Sequence, residues 1–364
     1  MMVPVTFSKW NSVLVLACLA IVTCLGCEPP PPPATTVQPQ VDPNNPAAAK
    51  TGAVKDYRIV MLTNGSSPFW DACDLGMREA GKKLGVKVEF IRNDATEGGQ
   101  IRRLEQFASQ SDIKGVGISV LAKESVGVAD QMKKLREKGI HVIAIDSDGA
   151  PDSREAFVGT NNIEAGEELG RATAALRPTG GEAVCFVGRA DAQNAIERID
   201  GFKKGIGSNI KLVDTMEDQV DETKARNNVT AAIQNHPKLN VLAGIWSYNA
   251  PAIADVVDAG NKRDKFKVVV FDAEPNAIAA MDRGLIDVMV VQNPFEMGYQ
   301  GTVLLNAMIQ KDEATVKSIL KGKDTVDTGL KVIVPSADSP VKSKYKMTLK
   351  EFKTWLADKK LEGS

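Results

Sequence analysis

Phe69 and Trp70 stand side by side in the stretch 62–71, LTNGSSPFWD, just beyond the apolar run YRIVML at 57–62. Two large rings at the point where a chain leaves one element and starts another ask for a use. Asp146 closes the apolar run HVIAID, Asp272 closes KVVVFD and Gln292 closes VMVVQ. Other planar or hydroxylated groups follow further runs: Thr63 and Ser67 after the first, Asn161 and Asn162 after AFVGT, and Asp191, Asn194 and Arg198 after EAVCFV. Asp221 then opens DETKARNNV, and Trp246, Ser247 and Asn249 follow VLAGI. The set combines aromatic rings with carboxylate, amide and guanidinium groups. Such planar groups pair with neighbouring hydroxyls two at a time, while rings cover apolar C–H faces. A ring-shaped polyol presents both surfaces. Each residue also has a plainer use. Phe69 and Trp70 fit as core rings, Arg198 as a solvated helix residue, Gln292 as a hinge residue, and Asp146, Asp272 and Asp221 as helix caps.

The elements that must hold these groups are legible as alternation. Runs at 57–62, 86–91, 115–119, 141–146 and 156–160 are apolar nearly throughout, as strands of a covered parallel sheet are. Between the first two, Phe69, Ala72, Cys73, Met77, Ala80 and Leu84 recur at three- and four-residue steps, a helix with one apolar face. Stretches 98–111 and 122–138 repeat the pattern. A second series of strands follows at 182–187, 210–215, 241–245, 267–272 and 288–292, with helices near 192–206, 221–235, 249–259 and 274–284. Strands alternating with helices give right-handed βαβ units. The expected fold is therefore α/β, with two doubly wound parallel-sheet lobes joined by a multi-segment hinge. The helix at 294–311 returns to the first lobe and the strand DTGLKVIV (327–334) to the second. The lobes are then 56–160 with 293–326, and 161–292 with 327–364. Ligands of open α/β sheets bind beyond the carboxyl ends of the strands, where the residues above lie.

The chain has 364 residues, with 45 Lys and Arg against 46 Asp and Glu, so no basic surplus points to nucleic acid. Its first 27 residues pair Lys9 with an apolar run at 12–22, too short to span a bilayer and fitting a secretory leader. That run ends in Leu25, Gly26 and Cys27, which resembles the lipobox of bacterial lipoproteins and marks Cys27 for lipidation; Cys24 stands where a lipobox usually has Leu. Residues 28–55 read as a Pro-rich tether. Cys73 and Cys185, one in each lobe, read as small buried hydrophobes rather than a disulfide.

Six motifs in order, SPFW, IDSD, VGTNN, ERIDGF, VVVFDAEPNAI and VQNPFEMG, resemble the type I periplasmic substrate-binding proteins, and most closely the ribose and related monosaccharide binders. The resemblance covers about residues 56–340. It implies an extracytoplasmic binder, lipid-tethered and monomeric, that delivers a sugar or related polyol to an ABC permease without a cofactor or metal. It assigns ligand contacts to Ser67, Phe69, Trp70, Asp146, Arg198, Asp272 and Gln292, and a further contact region to 246–249. Two departures stand out: Ser147 where many members have Arg, and Val220 where ribose binders have an aromatic. Trp246 is then the candidate for the missing ring.

Enzyme chemistry finds little support. No Gly-rich dinucleotide fingerprint follows the first strand, no GxxxxGK[ST] or GxSxG motif occurs, and His141 and His236 are the only histidines. A lipid-tethered sensor that signals to a receptor or kinase is the competing reading, since it uses the same hinge.

Overall fold

The computed structural model describes residues 55–364; the leader, Cys27 and the Pro-rich stretch lie outside the described residues. The chain runs through β1 (Arg58–Leu62), α1 (Phe69–Leu84), β2 (Lys87–Ile91), α2 (Glu97–Ala108), β3 (Ile113–Ile118), α3 (Val126–Glu137), β4 (His141–Ile145) and β5 (Ala156–Gly159). The alternation resumes with α4 (Asn162–Leu176), β6 (Gly181–Val187), α5 (Gln193–Ile206), β7 (Ile210–Glu217), α6 (Glu222–Asn235) and β8 (Leu239–Gly244). Next come α7 (Asn249–Ala259), β9 (Lys267–Phe271), α8 (Pro275–Asp282) and β10 (Val288–Val291). The last stretch holds α9 (Pro294–Ile309), α10 (Glu313–Leu320), β11 (Thr325–Asp327), β12 (Lys331–Val334), β13 (Lys346–Thr348) and α11 (Leu349–Lys359).

Two sheets result, one of six strands ordered β11-β5-β4-β3-β1-β2 and one of seven ordered β13-β12-β10-β9-β8-β6-β7. All pairings are parallel except β10 with β12. Each sheet is covered on both faces, and the inner strands show why their sequences carry unbroken apolar runs. Ile59 and Met61 of β1 enter one core, while Val60 and Leu62 enter the core on the other face. In β9 the same split sends Val269 and Phe271 one way and Val268 and Val270 the other. The chain passes between the sheets three times, from β5 to α4, from β10 to α9 and from β11 to β12.

Two features depart from the sequence reading. The stretch 327–334 is not one strand: β11 pairs with β5 in the first sheet, β12 pairs with β10 in the second, and Gly329 turns between them at φ 79°. That left-handed value suits glycine. The helix α4 had no counterpart in the sequence analysis. Its buried face includes Ala165, Gly166, Gly170 and Ala172, residues too small to give a strong apolar stripe. Small residues are what its position requires. A Cβ on Gly166 would lie 2.2 Å from the Arg198 carbonyl oxygen of α5, and one on Gly201 would lie 2.3 Å from the Ile163 oxygen. The backbones of α4 and α5 touch, and this contact sets where Arg198 starts.

Cys73 and Cys185 are buried and unpaired, and burial holds both thiols well above the usual range, Cys185 at about 12.

Gly166→Ala forces α4 and α5 apart at a backbone contact that no side-chain rotation relieves. The expected cost is about 1–3 kcal/mol of stability in urea unfolding. A midpoint equal to that of the wild type would show that the close approach is not tight.

Candidate functional site

The carboxyl ends of the two sheets face each other, and the residue that follows β4 and the one that follows β9 are both aspartates in the left-handed region. Asp146 has φ 59° and Asp272 φ 64°. A non-glycine residue rarely adopts that conformation, and Asp is among those that tolerate it best. Each is pinned by the adjacent strand: the Asp146 N–H donates to the Val158 carbonyl at 3.1 Å, and the Asp272 N–H to that of Val290 at 2.8 Å. The turn leaves both carboxylates at the facing surfaces.

Arg198 of α5 stands between them, with 1% of its surface exposed. Its Nε donates to Asn162 Oδ1 at 2.9 Å and its Nη1 to the Ile245 carbonyl at 3.1 Å. The guanidinium lies 4.5 Å from the Phe271 ring centroid. Its Nη2 is 3.9 Å from Asp146 Oδ1 and has no hydrogen-bond partner in the protein. Gln292 donates from Nε2 to both oxygens of Asp272 at 3.1 Å, and its Oε1 is likewise buried without a partner. In the first lobe Ser119 donates to Asp146 Oδ2 at 2.8 Å, and from the second lobe Asn194 donates across the cleft to the same oxygen at 3.4 Å.

Each lobe adds an edge-to-face ring pair. Phe69 and Trp70, at the start of α1, have centroids 5.0 Å apart and planes at 85°. Trp246 and Tyr248, between β8 and α7, are 6.5 Å apart at 77°. Pro68 is the N-cap of α1, where its missing N–H costs nothing. Trp246 Nε1 donates to Asn194 Oδ1 at 3.2 Å, so this ring has a fixed edge. The Ser67 and Ser247 hydroxyls are 3.3 Å apart across the two lobes.

These groups enclose one cavity of about 400 Å³ including its mouth. Ser67, Phe69, Trp70, Asp146, Arg198, Trp246, Ser247, Asp272 and Gln292 all line it. Six residues singled out from the sequence do not, among them Asn161, which caps α4 through the Glu164 N–H at 3.2 Å, and Asp191, which pairs with Arg189 at 2.6 Å. Thr63 is buried beneath the loop, donating to the Gly65 carbonyl and accepting from the Asn93 N–H. Asn162 holds Arg198 from behind. Asn249 accepts from the Trp246 N–H at 3.0 Å and donates to Asp218 at 2.9 Å. Asp221 is exposed and caps α6 through the Lys224 N–H at 2.9 Å. Its neighbour Val220 takes the place at the wall. Asn64, Tyr248 and Asn194 line the cavity as well; the first two were not singled out from the sequence. Tyr248 falls in the short window 246–249, where only its hydroxyl bond to Asp218 reveals which face it takes.

Burial dominates the electrostatics. It pushes Asp272 up to about 7 against the opposing pull of Arg198 and Gln292, with the Asp146 charge adding to the rise. Asp146 is raised by burial too, with Arg198 and Ser119 opposing. Burial lowers Arg198, countered by Asp272 and Asp146. Asp218, behind Tyr248, is raised by burial to about 6. One guanidinium thus faces two carboxyls in a site that disfavours every charge. Among the described residues no cluster of His, Cys, Asp or Glu is arranged to hold a metal ion.

A sequence profile described as periplasmic binding protein domain matches residues 58–313. The D-allose-binding periplasmic protein of Escherichia coli is 28% identical over 70% of this chain and 84% of its own length. Among solved structures, an ABC transporter solute binding protein from Burkholderia graminis in complex with D-arabinose superposes with TM-score 0.71. It is 30% identical, over 78% of this chain and 96% of that one. A glucose-galactose binding protein from Geobacillus stearothermophilus superposes with TM-score 0.69 at 25% identity, over 77% of this chain and 98% of that one.

The raised carboxyls set a pH dependence. A group whose folded pKa lies above its unfolded value keeps a proton that the unfolded chain has released, so its contribution to stability falls as pH rises between the two values. For Asp272 that window runs from about 4 to about 7, and Asp146 and Asp218 act in the same direction. Asp272→Asn should make urea stability of the ligand-free protein decline less across this window. An unaltered slope would place the retained proton on another group.

Proposed function

The chain belongs to the periplasmic binding protein family, and from that premise we propose that it captures a monosaccharide or related polyol between its lobes and delivers it to an ABC permease. The observation that carries the reading is the convergence of Asp146, Arg198, Asp272 and Gln292 with ring pairs from both lobes on one small cavity. Sugar hydroxyls each donate one hydrogen bond and accept two. Arg198 Nη2 is a buried donor without a partner and Gln292 Oε1 a buried acceptor without one. A hydroxyl satisfies either. The rings then take the C–H faces.

In this reading the ligand first meets the first-lobe groups, Ser67, Phe69, Trp70 and Asp146. It gains Arg198, Trp246, Asp272 and Gln292 as the lobes rotate together about the three crossings. Binding shifts an open–closed equilibrium because the closed form makes contacts that the open one lacks. The permease reads the spacing of the closed lobes, and no bond is made or broken. The lobes are 56–160 with 293–326 and 161–292 with 327–364. Cys27 carries the lipid, residues 28–55 act as the tether, and the protein works as an extracytoplasmic monomer. Delivery is favoured over sensing because relatives named above are a periplasmic sugar binder and an ABC transporter solute binding protein.

Calorimetry of the mature protein against D-allose, D-ribose, D-arabinose, D-glucose and D-galactose tests the proposal, and at least one should bind with micromolar or tighter affinity. Trp246→Ala should weaken that sugar about fivefold, since a lost ring contact costs roughly 1 kcal/mol. Silence across the panel would sink the sugar assignment.

A further inference from the structure

We infer that residues 361–364 form a positioning strap for the ligand cleft, clamping the backbone beside Asp272 so that its carboxylate is held for the ligand. The inference rests on the cleft being the ligand site. After α11 the chain reverses at Lys360, which has φ 57°, and the Leu361 N–H bonds back to the Leu356 carbonyl at 2.9 Å. Leu361 packs against the core that also holds Ala273 and Ala277. The segment then reaches the loop between β9 and α8. The Ala273 N–H donates to the Ser364 backbone oxygen at 2.7 Å, and the Ser364 N–H returns a bond to the Ala273 carbonyl at 3.1 Å. Ser364 is 2% exposed. The fit leaves no room at the preceding residue: a Cβ on Gly363 would come within 2.6 Å of the Ala273 oxygen and 3.0 Å of Pro275 Cδ.

Ala273 is the residue after Asp272, and a comparison of the two lobes shows why holding it matters. A left-handed aspartate persists only where its surroundings over-determine it. In the first lobe the residue after Asp146 is Ser147, and its carbonyl accepts from the Val120 N–H at 3.0 Å, from the loop that follows β3 in the same sheet. In the second lobe the corresponding residue is bonded by the segment after α11. A stretch remote from Asp272 in sequence thus does for the second lobe what an adjoining loop does for the first. The strap touches neither Arg198, Asp146 nor Gln292, the groups that face Asp272, so its influence runs through the backbone.

Two variants remove the clamp: deletion of residues 363–364, and Gly363→Val, whose side chain collides with the Ala273 oxygen. Ser364→Ala is the control, because the Ser364 hydroxyl has no hydrogen-bond partner and both backbone bonds survive its loss. The first readout is the titration of the Asp272 carboxyl, followed by carbon NMR in ligand-free protein. Both strap variants should move its midpoint from about 7 by about half a unit or more, while the control leaves it in place. The second readout is calorimetric affinity for D-allose and D-arabinose, which should fall about tenfold in the strap variants alone. An Asp272 titration identical to wild type in both variants overturns the inference, even if their melting temperatures drop, because that would be stability without positioning. A shifted titration in a protein that binds neither sugar would support the strap and count against the sugar reading.

Discussion

The cleft depends on a single buried cation shared between two acids. Arg198 and Asp272 come from the second lobe and Asp146 from the first, so the charge pair between Arg198 and Asp146 exists only with the lobes together. Taking such groups out of water costs several kcal/mol per ion, and their attraction offsets it only where hydrogen bonds satisfy the remaining donors and acceptors. In this protein the offset is incomplete. Arg198 keeps an unpartnered Nη2, Gln292 an unpartnered Oε1, and Asp272 is raised to about 7 although it faces a guanidinium. Under the proposed function, a hydroxyl-rich ligand then stabilises this arrangement more than the protein does alone. That asymmetry is what a capture device needs, because a cleft that closed tightly without cargo would carry nothing.

Closure is not left wholly to the ligand. Leu121, from the loop after β3 in the first lobe, is buried in a core cluster of the second. Beside it the Lys123 N–H donates to the Asp191 carbonyl at 3.1 Å, and Arg189 reaches Glu97 at 3.5 Å. Magnitudes rank these contacts. Full burial of a leucine is worth about 1.5–3 kcal/mol, whereas a partly exposed ion pair such as Arg189–Glu97 contributes about 0–1 kcal/mol and weakens with salt. Burial of Leu121 thus contributes more to holding the lobes together than the ion pair, which serves mostly to fix the alignment of the rims.

How much of this was legible follows from where each signal resides. The strands were readable because both faces of both sheets are covered, so β1 and β9 are apolar after their first residue and the aspartate that follows β4 or β9 stands out. Their left-handed backbones left no mark, since Asp occurs at many strand ends with ordinary φ. Asp221 and Val220 show the limit of reading by neighbourhood: adjacent residues point to different places, one capping α6 and the other lining the wall. Asn249 and Asn162 were found but given the wrong partner, because their partners, Asp218 and Arg198, lie more than thirty residues away. The helix α4 escaped for a different reason. It packs by backbone contact through Gly166 and Gly170, and periodicity of large apolar residues has nothing to report where the packing needs their absence.

The manner in which Arg198 is held explains why a lysine could not replace it. Two of its nitrogens are committed to its own lobe, Nε to Asn162 and Nη1 to the Ile245 carbonyl, and its face is laid on Phe271. A planar fork can meet all three demands at once and still direct Nη2 outward, whereas a flexible ammonium has neither the plane nor the fixed second direction. The second lobe thus sets the direction of that donor before any closure occurs. Under the proposed function, closure changes the separation between Nη2 and Asp146, 3.9 Å in this structure. A ligand held by both lobes fixes that separation, and with it the spacing of everything on their outer surfaces. Under the proposed function, recognition in the cleft and recognition by a permease are then the same geometric fact, read from the inside by the ligand and from the outside by the transporter.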